Sequence, residues 1–266
     1  MNPFSLEGKI ILVTGASSGI GAQCAIDFSR MGAKVILIAR NIECLKQTLS
    51  KMDGTGHAYY SVDVTDFKAL SRIIKLAVSE VGKISGVVHC AGISSVLPLK
   101  LVKEEDIDSI MRTNIYSAIQ LVHEVTHVGY YDKNDGISII LLSSIMGVVG
   151  ESCKSLYSFS KGAIIAGVRS LAVELASKNI RVNCISPGVI ITNINKNARH
   201  IADPEQRKEL ENKHLLGLGE TTDISNACIY LLSNGARWVT GQNIIIDGGY
   251  SCLLYTSPSP RDGLLS

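Results

Sequence analysis

The 266-residue chain has no Cys-x-x-Cys pair, although it carries seven cysteines, at positions 24, 44, 90, 153, 184, 228 and 252. Scattered singly, several of them inside apolar segments, they predict buried reduced thiols and exclude a disulfide framework or a zinc knuckle. Also missing is any run approaching the ~18 consecutive apolar residues of a membrane-spanning helix. The opening MNPFSLEGKIILVTG lacks a basic segment followed by a long apolar one, so it does not read as a signal peptide. There is no basic run and no stripe of interleaved aromatic and basic residues, and the formal net charge is +2. Nucleic acid and membrane are therefore not expected partners, and a cytoplasmic protein acting on a small molecule is.

What is present suits one large α/β domain: 46% of the residues are hydrophobic and 19% charged, enough for a well-buried core at this length. The chain is organised around SSIMGVVGESCKSLYSFSK, residues 143–161. Tyr157 and Lys161 stand four apart in a predicted helix, so both project from one face. Ser144 lies thirteen residues before Tyr157, beyond a glycine-spaced loop and just after an apolar run, residues 137–142, that reads as a buried strand. A phenol in water titrates near pH ~10, and an ammonium held close by favours its ionised form. The Ser144 hydroxyl could then hold a carbonyl oxygen that Tyr157 protonates. Taken alone, Tyr-x-x-x-Lys also fits a helix whose Tyr packs and whose Lys is solvated.

The rest of the chain supplies context. An apolar strand over residues 9–13 runs into TGASSGIG (14–21) and a helix over 22–30. Gly15, Gly19 and Gly21 let the backbone turn and approach a ligand, and the helix N-terminus offers unpaired N–H groups to a pyrophosphate, with Ser17, Ser18 and Ile20 completing the loop. Between a strand and a helix of a βαβ pattern, this is the context of dinucleotide binding. The second strand, 34–38, ends in Ala39 and Arg40 where an NAD site commonly carries a carboxylate. An Arg can instead pair with a 2′-phosphate, which favours NADP(H) over NAD(H); a solvated Arg opening the next helix is the alternative. A third strand, 57–62, leads to Asp63 and Val64, where Asp63 could accept from an adenine amino group or serve as a helix cap, a role that Thr65 and Asp66 fill as well.

Helix 67–81 and strand 86–89 follow, leading into Cys90, Ala91 and Gly92, small residues that permit close backbone approach to a cofactor. A helix over 103–127 carries Asn114 and ends in His123-Glu124-Val125-Thr126-His127. His-Glu-x-x-His is the zinc-protease signature. No third His follows at the expected spacing, residue 130 is Tyr where the longer motif has Gly, and ligands of a βαβ series gather at strand carboxyl ends. No metal site is expected, and the His pair reads as solvated or subunit-facing. A turn at 132–136, a helix over 156–177 and a strand over 180–185 lead to Ser186, Pro187 and Gly188. Residues 189–218 are irregular and polar, with Asn193, Asn195, Lys196, Asn197, Arg199 and His200 clustered, and read as a substrate lid or an ordinary pair of surface helices. Helix 223–233 and strand 242–246, ending in Asp247-Gly248-Gly249, complete a domain over residues 1–251. The following CLLYTSPSPRD resembles a translated sequencing adapter, so residues 252–266 are excluded from it as a non-native tail.

Over residues 6–251 the chain resembles the short-chain dehydrogenase/reductase family. The resemblance rests on TGASSGIG, Asp63-Val64, Ala91-Gly92, Asn114, Ser144, YSFSK (157–161), Pro187-Gly188 with Thr192, and the closing DGG. It implies a doubly wound Rossmann domain, a seven-stranded parallel sheet with helices on both faces. It also implies a catalytic tetrad: Tyr157 as general acid in reduction and base in oxidation, Ser144 positioning the substrate oxygen, Lys161 depressing the Tyr157 pKa and holding the nicotinamide ribose, and Asn114 supporting a relay water. Thr192 and the backbone at Ile190 would fix the nicotinamide carboxamide. His89-Cys90-Ala91-Gly92 departs from the family's frequent Asn-Asn-Ala-Gly, which is expected to loosen that loop.

The motifs look most like those of 3-oxoacyl-(acyl-carrier-protein) reductases, so a 3-oxoacyl thioester is the first substrate expected, with a sugar, steroid or other secondary alcohol as the alternative. Val148, Val149, Cys153 and residues 94–97 are expected to line a largely apolar pocket. A cofactor-sensing protein without turnover is the reading of another class. The resemblance also implies a homodimer or homotetramer built on the two long helices and the DGG end.

Overall fold

A computed structural model describes residues 2–192 and 203–256, with side chains as far as Leu253. Seven parallel strands form one sheet in the order β3-β2-β1-β4-β5-β6-β7. They are β1 (Ile10–Thr14), β2 (Lys34–Ala39), β3 (Ala58–Ser61), β4 (Gly86–His89), β5 (Ile137–Leu142), β6 (Ile180–Pro187) and β7 (Asn243–Ile246). Residues alternate between two apolar layers. Leu12, Ile36, Ile38, Ile139 and Val182 face one layer, and Ile11, Val13, Val35, Leu37, Ile140 and Ile185 face the other. With both faces covered, the strands read as continuous apolar runs, as the sequence of β5 shows.

Helices α1 (Gly19–Arg30) and α2 (Ile42–Leu49) cover one face, and α3 (Phe67–Val81) the other. This is a doubly wound Rossmann architecture. The strand order reverses between β1 and β4, so their carboxyl ends diverge and open a crevice, the place where open α/β sheets bind ligands.

The long helix expected over 103–127 is not uniform. It is α4 (Glu104–Met111), a π-helical turn (Arg112–Tyr116) and α5 (Ser117–Val125) in succession. A π-turn widens the helix by one residue and redirects the side chains it carries. Asn114 lies inside it. Helix α6 (Ser155–Leu175) carries Tyr157 and Lys161 as expected. The segment read as irregular over 189–218 contains α7 (Pro204–Asn212), whose N-terminus is set by the Asp203 side chain accepting from the backbone of Glu205 and Gln206. It buries no residue, so it has no apolar face for periodicity to detect. Residues 193–202, with the Asn/Arg/His cluster, lie outside the described residues. The chain continues with α8 (Thr221–Leu232) and, beyond β7, α9 (Tyr250–Thr256), which runs on past residue 251. No helix among the described residues is long and apolar enough to cross a membrane.

Of the three caps considered for α3, Asp63, Thr65 and Asp66, Asp66 is the one used: its carboxylate accepts from the Ala69 backbone N–H at 3.0 Å. Asp66→Ala should cost about 1 kcal/mol, a fall in Tm of about 2–4 °C for a domain of this size, measured by calorimetry.

Candidate active site

A cleft of about 1020 Å³ opens at the carboxyl ends of β1, β4 and β5. Gly15, Ser17, Ser18, Gly19, Ile20, Gly21, Arg40, Asp63 and Val64 line one part of it. Cys90, Ala91, Gly92, Pro187, Gly188, Ile190 and Thr192 line its middle, and Ser144, Tyr157 and Lys161 its far end. Asn114 lies behind this surface.

The loop after β1 can exist only with glycine at two points. A Cβ on Gly21 would strike the Gly15 carbonyl oxygen, and one on Gly15, which has φ of +68°, would meet the Ala91 nitrogen at 2.9 Å. Backbone packs on backbone there, leaving the α1 N-terminus open to the cleft. At the edge, the Arg40 guanidinium stands 3.8 Å from Asp63. Burial pushes the Asp63 carboxyl up, but hydrogen bonds from the Thr65 backbone and hydroxyl and the charges of Arg40 and Arg112 outweigh it, so its pKa is lowered. One Asp63 oxygen is thus occupied by Thr65, and the other faces Arg40.

Three buried side chains tie the loops behind the cleft together. The Asn114 side chain accepts from the Ile93 N–H at 2.8 Å and donates to the Ile93 carbonyl at 2.9 Å and to the Ser160 hydroxyl at 3.0 Å. It is a clamp on the segment after β4, with both its donors committed to protein. His89 is the second. The Ala91 N–H donates to Thr14 Oγ1, whose hydroxyl donates to His89 Nδ1 at 2.8 Å; His89 Nε2–H donates to Ser117 Oγ at 3.1 Å, and that hydroxyl donates to the Thr113 carbonyl. The chain runs in one direction from the cleft loop to the π-turn, and it assigns the proton to Nε2. Instead of the looser loop expected from the missing Asn residues, His89 pins it.

The third is Lys161, 5% exposed, whose ammonium donates to the Leu142 carbonyl at 2.8 Å and lies 5.7 Å from the centre of the Tyr157 ring. Burial brings its pKa down to about 8. A Cβ on Gly92 would come within 3.4 Å of this ammonium and 3.2 Å of Asn114 Oδ1, so a larger residue there would press on the Asn114 amide.

Lys161 was expected to depress the Tyr157 pKa. The structure differs: burial raises the phenol's pKa, partly opposed by its hydrogen bond with Ser144, and the ammonium is turned to a carbonyl. Tyr157 is therefore a neutral phenol at neutral pH, the form that donates a proton. Ser144, in extended backbone at the end of β5, also accepts from the Met146 N–H.

At the Tyr157 end, Ser94 and Val96 line the cleft as expected, but Ser95, Leu97, Val148, Val149 and Cys153 do not. The loop turns at Cys153, with φ of +64°, and the Cys153 carbonyl accepts from the Leu97 N–H. Glu151 and Lys154 line the cleft instead, joined at 2.9 Å, with Leu210 of α7 and Tyr250 of α9. The opposite charges three residues apart were a readable signal, yet their facing the cleft depends on the turn.

Burial and the positive charge of Lys161 lower the His89 pKa to about 3. An unfolded His titrates near 6.5, so between about pH 6.5 and 3 the unfolded chain binds the extra proton. This contribution to stability is complete above pH 6.5 and is lost as pH falls, by about 1.4 kcal/mol per pH unit. His89→Asn should be less stable than the parent at pH 7 by about 1–3 kcal/mol, and its stability should fall less steeply from pH 6.5 to 5, as measured by urea unfolding.

The described cysteines form no disulfide, and Cys24, Cys184 and Cys228 are buried. Residues 15–251 match the family model described as enoyl-(acyl carrier protein) reductase. The chain is 33% identical to the 3-oxoacyl-(acyl-carrier-protein) reductase FabG of Thermotoga maritima, over 92% of this chain and 98% of that one. It is 34% identical to glucose 1-dehydrogenase of Gluconobacter oxydans, over 91% of each. It is 32% identical to 7alpha-hydroxysteroid dehydrogenase of Escherichia coli, over 92% of this chain and 94% of that one. The crystal structure of a short-chain type dehydrogenase/reductase from Mycobacterium marinum superposes with a TM-score of 0.86 at 32% identity, covering 94% and 98% of the two chains. The chain belongs to the short-chain dehydrogenase/reductase family, oxidoreductases that act on CH–OH groups with a nicotinamide cofactor.

Proposed function

We propose that the protein interconverts a carbonyl and a secondary alcohol using NADP(H) in preference to NAD(H), with a 3-oxoacyl thioester as its first substrate. The observation that carries this reading is the neutral, half-buried Tyr157 phenol held by Ser144 and backed by the Lys161 ammonium. The glycine cradle, where a Cβ would strike backbone, and the size of the cleft fit a dinucleotide. Residues 15–21 would receive its pyrophosphate, Arg40 a 2′-phosphate, Asp63 and Val64 the adenine, and Cys90 to Gly92 the sugar. Pro187, Gly188, Ile190 and Thr192 would hold the nicotinamide end. When bound, the cofactor supplies or accepts the hydride.

The chain's own part is to orient and to move a proton. Ser144 Oγ holds the substrate oxygen, and Tyr157 gives that oxygen its proton as charge develops. The buried ammonium of Lys161 stabilises the phenolate left behind. Asn114 holds the segment over which the substrate lies and, through Ser160, the turn of α6 that carries Tyr157. We place the protein in the cytoplasm and infer a homodimer or homotetramer joined through α5 and α6, where Ile119, Phe159 and Val173 are exposed.

One observation favours the second reading, a polar substrate. The Glu151–Lys154 pair puts both charges beside the reaction end, where the hydroxyls of a sugar would be hydrogen-bonded and an acyl chain would not. The relatives that carry sugar and steroid names are as similar as the thioester reductase.

With purified protein, NADPH should be consumed with an acetoacetyl thioester and NADH consumed poorly. Tyr157→Phe should lower kcat by about 10²–10⁴-fold while leaving NADPH binding intact. An unchanged rate in this variant removes the tetrad reading; no turnover with retained NADPH binding removes the thioester.

Arg40→Ala should raise KM for NADPH about tenfold and leave KM for NADH unchanged, since only the former loses a charge-assisted partner. Lys154→Ala and Glu151→Gln should alter kcat/KM for polar substrates by tenfold or more, with little effect on an acyl thioester, if the polar reading holds.

A further inference from the structure

The His-Glu-x-x-His segment stays unused by the chemistry above, and its geometry runs against the expectation of no metal. His123 and Glu124 lie on the last turn of α5, with His127 just beyond it. The three offer ligand atoms that all lie within 4.8 Å of one another. His123 Nδ1 is 3.5 Å from Glu124 Oε1, and His127 Nε2 is 3.8 Å from Glu124 Oε2. In a tetrahedral zinc site with bonds of about 2.0–2.1 Å, neighbouring ligand atoms are about 3.3 Å apart. Small rotations of two exposed imidazoles close the difference, with no movement of the backbone.

Two further features mark the group. The Glu124 carboxylate is buried although both histidines are exposed, and Gln120 Nε2 donates to its Oε1 at 2.7 Å. A carboxylate held by an outer partner is how proteins orient a metal ligand. The two rings stand edge to face with centres 4.9 Å apart, and each presents a nitrogen to the same carboxylate. This is not the protease arrangement, where the Glu is a base and not a ligand. Nor do any of the three residues line the large cleft.

We propose that His123, Glu124 and His127 form a surface site for a borderline divalent transition metal, zinc being the ion tested, with the remaining positions filled by water. Two imidazoles and one carboxylate suit zinc, copper or nickel and discriminate against magnesium and calcium, which take all-oxygen shells. Bound metal ties the end of α5 to the turn after it. The effect is structural, since a metal bound only by the folded state stabilises it.

The test is a zinc titration of untagged, chelator-treated full-length protein in competition with a chromophoric indicator. One equivalent should bind, unaffected by millimolar magnesium, and the thermal midpoint should rise. His123→Ala and His127→Ala should each weaken binding tenfold or more, and Gln120→Ala should weaken it less, while all three keep their NADPH affinity. Because thiols also take zinc, cobalt(II) is the second probe: its visible bands should appear without a thiolate-to-metal charge-transfer band. No bound zinc, unchanged affinity in both His variants, or a thiolate band would overturn the site. If His127→Ala unfolds, His127→Gln serves in its place.

Discussion

Loops following three strands and a helical turn must meet behind one cleft, and water cannot reach the place where they do. A buried polar group there costs free energy unless each donor and acceptor is matched. The chain running from Ala91 through Thr14, His89 and Ser117 to Thr113, with the Asn114 clamp beside it, meets that condition. Among the described residues no buried side-chain nitrogen or oxygen lacks a partner. Because the chain has one direction, a second proton on His89 would set Nδ1–H against the Thr14 hydroxyl. The burial that makes these bonds necessary is also the main cause of the low His89 pKa, with the charge of Lys161 adding to it.

That floor allows the groups proposed to react, Tyr157 and Lys161, to be held in an unfavourable environment. Among the described residues Lys161 is a buried cation without a carboxylate partner; its ammonium donates to the Leu142 carbonyl, and Gly92 packs beside it. Burial acts in opposite directions on its two ionisable members, lowering the ammonium's pKa and raising the phenol's. Both shifts favour the neutral forms and move the two pKa values apart, so the phenol keeps its proton in the resting site. A phenol that begins neutral and ends beside a cation is suited to donate as an alkoxide forms.

The two ends of the cleft follow different rules. At the cofactor end, backbone approaches backbone, and the glycines allow few alternatives. At the end proposed for the substrate, the lining comes from a loop turn, α7 and α9, elements that contribute little to the core. The charged pair at Glu151 and Lys154 is specific to the way this loop turns, and it sets this chain's pocket apart from an apolar one. A family fold shared with thioester, sugar and steroid enzymes constrains the first end far more than the second.

The sequence by itself determined the strand-and-helix alternation, the glycine turn after β1 and the Tyr157/Lys161 spacing on α6. All are local: they depend on periodicity of two or 3.6 residues, on backbone freedom, or on a four-residue interval. Helix α3 was legible to its ends because Asp66 and Gly82 bound it. What the tertiary structure decided is whatever depends on partners far away in the chain. The π-turn at Asn114 has no propensity signal and reflects the clamp on Ile93, twenty-one residues distant. Helix α7 has no apolar stripe to betray it. His89 looked like a departure from a motif until Thr14 and Ser117 lay on either side of it. The direction of the Tyr157 shift depended on how deeply the phenol is buried and where the Lys161 ammonium turns, and neither is written in a spacing of four.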